Sequence, residues 1–239
     1  MSSVLTATLE SNLAGVRARI QSAALRSGRG SAVELVAVTK SVSPARAAAL
    51  AALGQRDLGE NRADELERKA SWFAQRGVEV RWHFLGHVQR NKARRVARLA
   101  HVVHSLDSLE LARILERAAE EQGRRLSVFV QLKLWPEEAK TGLDPRELPA
   151  LLEFLARSRP LEFAGLMALG PLLEDPRARL AAARTVFREL ARRARELGPS
   201  CRTSMGMSED FEIAIEEGAD LVRVGSALFA GLAPEEARA

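Results

Sequence analysis

Only five of the 36 basic residues are lysines; the other 31 are arginines. One of the five, Lys40, ends the apolar run VELVAVTK (33–40). Arginine carries charge permanently, whereas a lysine amine can shed its proton and condense with an aldehyde to form a Schiff base. A lysine at the end of a strand in so arginine-rich a chain therefore points to carbonyl chemistry, against the plainer reading of a solvated lysine. A second group is LVRVGSALFAG (221–231), where Gly225 and Ser226 stand at a change from strand to short helix. Backbone N–H groups and a hydroxyl in such a turn can cradle a phosphate, although a simple glycine turn with a serine cap has the same look. TSMGMS (203–208) adds a neighbouring loop with Ser204, Gly206 and Ser208 as further donors.

Arg223 lies among aliphatic residues, on the same face of its strand as Leu221 and Gly225 by period-two alternation. If that face points inward, its guanidinium reaches a small ligand from below. Beside a pyridine nitrogen, such a cation disfavours protonation of the ring and weakens it as an electron sink. Asn61 in GEN and His83 in WHFLGH are further polar strand-end residues, with a turn and a satisfied structural histidine as their plain readings. Met167, Met205 and Met207 can line a pocket, though methionine more often packs. His83 and His87 lack companions at ligand spacing, and the single Cys201 belongs to no CxxC or Cys/His cluster, so no metal site is expected.

Bringing these residues together requires a fold that collects strand ends. Strand and helix alternate eight times: strands near 33–38, 56–61, 80–86, 101–107, 126–134, 161–170, 202–207 and 219–225. Helices follow near 44–54, 62–76, 89–98, 108–122, 145–157, 174–197, 208–217 and 226–230. Apolar runs without polar alternation, such as LVAV and HVVH, suit parallel strands covered by helices. Eight such units predict one α/β domain over 1–239, a closed (β/α)₈ barrel whose active site lies at the C-terminal ends of its strands. A doubly wound open sheet is the alternative. Residues 5–25 predict an extra N-terminal helix with Leu9, Leu13, Val16 and Ile20 on one stripe.

The formal charge of +5 is modest for 239 residues. It argues weakly for nucleic acid, and the basic run QRNKARRVAR (89–98) lacks interleaved aromatics, so it reads as a solvated helix face. The N-terminus lacks a secretory pattern and no apolar run approaches the ~20 residues of a bilayer crossing. A cytoplasmic protein without membrane partners is expected.

The phrases LVAVTK, LGENRADEL, WHFLGHVQRNK, VHSLDSLELA, KTG, GLMALG and SMGMSEDFEIAIEEGADLVRVGSALFAG, in this order and spacing, resemble the pyridoxal 5′-phosphate homeostasis protein family, which is related to the N-terminal barrel of alanine racemase. The resemblance implies pyridoxal 5′-phosphate as cofactor, held as a Schiff base on Lys40. It implies Ser204, Gly206, Gly225 and Ser226 around the phosphate with Met207 nearby, Met167 in the pocket, Arg223 toward the pyridine nitrogen, and Asn61 and His83 at the mouth. It also implies a monomer acting in vitamin B6 homeostasis, with pyridoxal phosphate-dependent apo-enzymes as partners. Arg62, His87 and Gly170 depart from family phrases that commonly carry Tyr, Pro and Pro there. Two rival functions follow from the same residues: an amino-acid racemase, or a cofactor-free barrel enzyme acting on phosphosugars. Racemisation needs acid and base on both faces of a planar intermediate. The efficient alanine racemases take one from a Tyr of an added domain, and this chain has no Tyr and no length for that domain. Binding with little or no turnover is the expectation.

Overall fold

The computed structural model describes residues 3–28, 33–136 and 141–233. Eight parallel strands close into a barrel in sequence order. They are β1 (Glu34–Val38), β2 (Asp57–Glu60), β3 (Arg81–Phe84), β4 (Val102–Leu106), β5 (Leu126–Gln131), β6 (Leu161–Met167), β7 (Arg202–Ser204) and β8 (Leu221–Val224). Closure sets Glu34 beside Leu221 and Ala37 beside Val224. The outer layer comprises α2 (Pro44–Ala52), α3 (Ala63–Ala74), α4 (Ala93–Leu99), α5 (Leu109–Glu120), α6 (Leu148–Arg157), α7 (Pro176–Leu197) and α8 (Phe211–Glu216), with α1 (Ser3–Arg26) preceding the barrel. None of these helices is long and apolar enough to cross a membrane.

Local chemistry trims the helices relative to their sequence pattern. Ser43 caps α2 by accepting from the Arg46 N–H at 3.3 Å, and Pro44 occupies the first turn, where its missing N–H costs nothing. Asp175 accepts from the N–H groups of Arg177 and Ala178, so α7 starts at Pro176 rather than 174. The helices expected over 89–98 and 145–157 each open with a 3₁₀ turn, Arg90–Lys92 and Pro145–Glu147. The one expected over 208–217 shortens to α8 because the Asp210 carboxylate accepts the Met207 N–H at 2.6 Å and holds that stretch as a turn. The terminal segment is a 3₁₀ turn, Ser226–Phe229.

Two apolar regions form the core. The larger lies between barrel and helices and includes Leu9, Leu13, Val16 and Ile20, the stripe expected on α1. The smaller fills the barrel with Val36, Val102, Phe129, Met167 and Leu221. Asn12 Nδ2 donates to the carbonyls of Leu228 and Ala230, so α1 ties down the terminal turn that follows β8.

Candidate functional site

Lys40 stands two residues past β1, exposed, and among the described residues its amine makes no ion pair. The backbone leading to it is firmly held. Thr39 N–H donates to Gly59 O at 2.9 Å, Thr39 Oγ1 donates to Glu60 Oε1 at 2.5 Å, and Lys69 Nζ donates to both Thr39 O (2.5 Å) and Glu60 Oε1 (2.6 Å). Lys69 and Glu60 are both 0% exposed. Burial pushes the Glu60 carboxyl above its ordinary range, with Lys69 and Thr39 pulling it back. The β1–β2 corner is thus a closed charged knot whose output is a rigid stem for Lys40.

Across the seam, Gly225 follows β8 beside Val38, and a Cβ there would stand 3.3 Å from Val38 O and Val38 Cβ. The loop after β7 leans on it, since Gly225 N–H donates to Ser208 Oγ at 3.1 Å. Gly206 has φ +88°, and a Cβ would come within 2.6 Å of Ala214 and 2.9 Å of Phe211, so only glycine fits this turn. Ser226 is exposed and opens the terminal 3₁₀ turn, whose first N–H groups have no intrahelical acceptor. Met207 is 38% exposed beside them. Lys40, Gly206, Met207, Gly225 and Ser226 therefore gather at one end of the barrel, where the two glycines let their loops pack closely on Phe211, Ala214 and Val38. This arrangement fits a phosphate ester next to a primary amine.

The remaining candidates lie inside the barrel or at its rim. Arg223 points inward: it is 3% exposed and donates to Ser204 Oγ (2.7 Å) and Ala168 O (3.3 Å). Burial lowers its pKa to about 10. Ser204 is fully buried and its hydroxyl engages Arg223 and His104, so it faces the barrel interior. His83 is also interior, bonded to His104 Nε2 at 2.8 Å and to Asp57 at 2.9 Å. Met167 belongs to the barrel filling. Asn61 is exposed just past β2. Lys140 of KTG lies outside the described residues.

Glu60, Lys69, His104 and Asp57 were not singled out by sequence reasoning. Lys69 had a signal: it is one of five lysines and lies on the same helical stripe as Leu66 and Phe73, an apolar face. The arginines of the basic run 89–98 pair with carboxylates of neighbouring helices. Arg90 pairs with Glu110, Arg94 with Glu121 (3.4 Å), and Arg95 and Arg98 with Glu67.

Residues 11–233 match the family described as alanine racemase, N-terminal domain. A pyridoxal phosphate homeostasis protein of Pseudomonas aeruginosa is 39% identical over 224 residues, covering 93% of this chain and 95% of its own. One from Aquifex aeolicus is 34% identical, covering 91% and 95%. The solved structure of PipY from Synechococcus elongatus with PLP bound is 34% identical at a TM-score of 0.76, covering 93% of this chain and all of that one. An alanine racemase from Corynebacterium glutamicum, 18% identical at a TM-score of 0.68 over 98% of this chain and 64% of its own, shares the fold. The chain therefore belongs to the pyridoxal phosphate homeostasis protein family, built on the alanine racemase N-terminal domain.

Proposed function

We propose that this chain binds pyridoxal 5′-phosphate covalently through Lys40 and serves intracellular vitamin B6 homeostasis as a carrier, with little or no turnover. One observation carries the reading. A free lysine amine on a rigid stem, a glycine-lined pair of loops and a buried inward arginine meet at the same end of a closed barrel. The related PipY, solved with PLP bound, supports the cofactor.

Bound there, pyridoxal phosphate supplies an aldehyde for an amine and a ring able to take up electron density. The chain's residues do the rest. Lys40 offers the amine, and the Lys69–Glu60–Thr39 knot fixes the direction from which it is offered. The turns at Gly206 and Gly225–Ser226 would receive the phosphate, with the first N–H groups of the terminal 3₁₀ turn and the Ser226 hydroxyl as donors, Met207 bordering them and Asn61 at the edge of the mouth. Arg223, a donor without an acceptor function, would face the ring and would keep a ring nitrogen unprotonated, limiting its use as a sink.

The supply of second acids and bases also favours custody over racemisation. His83 and His104 are committed to interior hydrogen bonds, and His101 accepts the Trp82 N–H at the far end of the barrel. His87, paired with Asp107 at 3.1 Å, is the histidine left near the mouth. A cytoplasmic monomer that passes its cofactor to apo-enzymes completes the proposal. Chain saturated with the cofactor should gain a visible absorption band that borohydride removes, and should interconvert alanine enantiomers no faster than a Lys40→Ala control. Rapid conversion of L-alanine by highly purified protein overturns the carrier reading in favour of a racemase.

A further inference from the structure

Four hydrogen bonds run in one line through the barrel. Arg223 Nη1 meets Ser204 Oγ at 2.7 Å, Ser204 Oγ meets His104 Nδ1 at 2.8 Å, His104 Nε2 meets His83 Nδ1 at 2.8 Å, and His83 Nε2 meets Asp57 Oδ1 at 2.9 Å. The first four residues are buried, whereas the Asp57 side chain is 32% exposed. Asp57 opens β2, so it lies at the end of the barrel opposite Lys40. The line therefore joins solvent at the far end to the floor of the cofactor site.

Its direction is fixed from both ends. A guanidinium only donates and a carboxylate only accepts, while a neutral imidazole has one donor and one acceptor nitrogen. Burial holds both His83 and His104 in the neutral form. Partial burial works against the Asp57 charge, yet the His83 hydrogen bond and nearby charges outweigh it and keep the carboxyl below its ordinary range. His83 Nε2–H thus donates to Asp57, and His83 Nδ1 must accept from His104 Nε2–H. His104 Nδ1 then accepts the Ser204 O–H, and the Ser204 oxygen lone pair is left for Arg223. Stacking on Phe129, with centroids 4.8 Å apart and planes at 15°, sets the His104 ring plane. Arg81 and the Arg202–Glu34 pair (2.9 Å) are the charges around the Asp57 end, and Asp210 is the carboxylate near Arg223.

We propose that His104, His83 and Asp57 are positioning residues that hold Ser204 Oγ as an acceptor and thereby aim Arg223 at the ring nitrogen, making the site selective for an aromatic ring with a lone pair there. The inference rests on the pyridoxal phosphate reading above. Among the described residues two of the five Arg223 N–H groups are committed, to Ser204 and to Ala168 O, which leaves the others for a ligand. Were Ser204 to turn, its hydroxyl hydrogen would face the guanidinium and the aim would be lost.

The test compares binding of pyridoxal 5′-phosphate with that of its 1-deaza analogue, in which C–H replaces the ring nitrogen. Wild-type chain should prefer the natural ring by about tenfold, the scale of one charge-assisted hydrogen bond. His104→Phe keeps the stack on Phe129 but breaks the line, and should reduce the preference to below about threefold while leaving the affinity for the deaza ring unchanged. Asp57→Asn, half-buried and remote, should give an intermediate preference and becomes the deciding variant if His104→Phe does not fold. Equal weakening of both ligands, or an unchanged preference, overturns the proposal. Imidazole ¹⁵N spectra of the ligand-free chain give an independent check: both histidines should carry their proton on Nε2, and a proton on either Nδ1 overturns it. If borohydride reduction leaves no pyridoxyl adduct on Lys40 of the wild type, the cofactor reading itself falls; if the adduct forms and the preference does not move, only the relay falls.

Discussion

At the β1–β2 corner, Lys69, Glu60 and Thr39 form a compact charged knot in which both charged side chains are 0% exposed, with the partly exposed Glu65 4.0 Å from Lys69 at its edge. Across the barrel, Arg223, Ser204, His104, His83 and Asp57 spread one positive and one negative charge over a line of dipoles that does reach solvent. Both bury polar groups at a cost that pairing offsets, incompletely in the knot, where Glu60 Oε2 has no hydrogen-bond partner among the described residues. The knot concentrates charge at a single point and holds a backbone carbonyl, so it supplies rigidity. The line separates its charges and has a direction, so it supplies orientation. Lys40 itself stays exposed.

Breaking the knot should have the largest effect. Lys69→Met leaves Glu60 buried and uncompensated, and its cost in urea unfolding should be about 3–5 kcal/mol. Adding Glu60→Leu should recover most of that loss, because removing both charges also removes the desolvation cost. Acidification should strike the line instead. The unfolded chain protonates His83 and His104 near 6.5 while the folded chain keeps them neutral, so the unfolded state binds more protons and stability falls as pH falls. Between about pH 7.5 and about pH 5.5 each imidazole should cost up to about 1.4 kcal/mol, measured as a fall in the urea midpoint, and His104→Phe should flatten the curve. Ser204→Ala leaves His104 Nδ1 and Arg223 each short of a partner and should cost about 1–3 kcal/mol without affecting the Lys69 knot. Asp175→Ala, on the outer layer away from both clusters, should cost only about 1 kcal/mol through the lost α7 cap. A double variant with Ser204→Ala should then be additive.

The barrel was readable because each strand run and each helix stripe is a local pattern, and α1 even showed its buried face as Leu9, Leu13, Val16 and Ile20. Helix starts were less readable, since Asp175 and the Met207–Asp210 turn act through hydrogen bonds that periodicity does not encode. Lys40 stood out by residue type, and the loop glycines by position. The line through the barrel was hidden for a geometric reason. Alternation tells which way Arg223 faces, but its meeting with Ser204 depends on the β7–β8 register, and the His83–His104 contact on the β3–β4 register. His83 looked like a mouth residue because its strand end is polar, whereas its ring turns inward to Asp57. Lys69 was legible in principle, as a lysine on an apolar stripe, and its partner Glu60 became visible only once β2 and α3 were side by side.

The two buried clusters matter to function only if Lys40 is the point of attachment. Chain saturated with pyridoxal 5′-phosphate, reduced with borohydride, denatured, digested and mapped by mass spectrometry should carry pyridoxyl phosphate on the peptide containing Lys40 and none on the peptide containing Lys69, which is 0% exposed and doubly hydrogen-bonded. A map in which Lys40 remains unmodified after saturation contradicts the account.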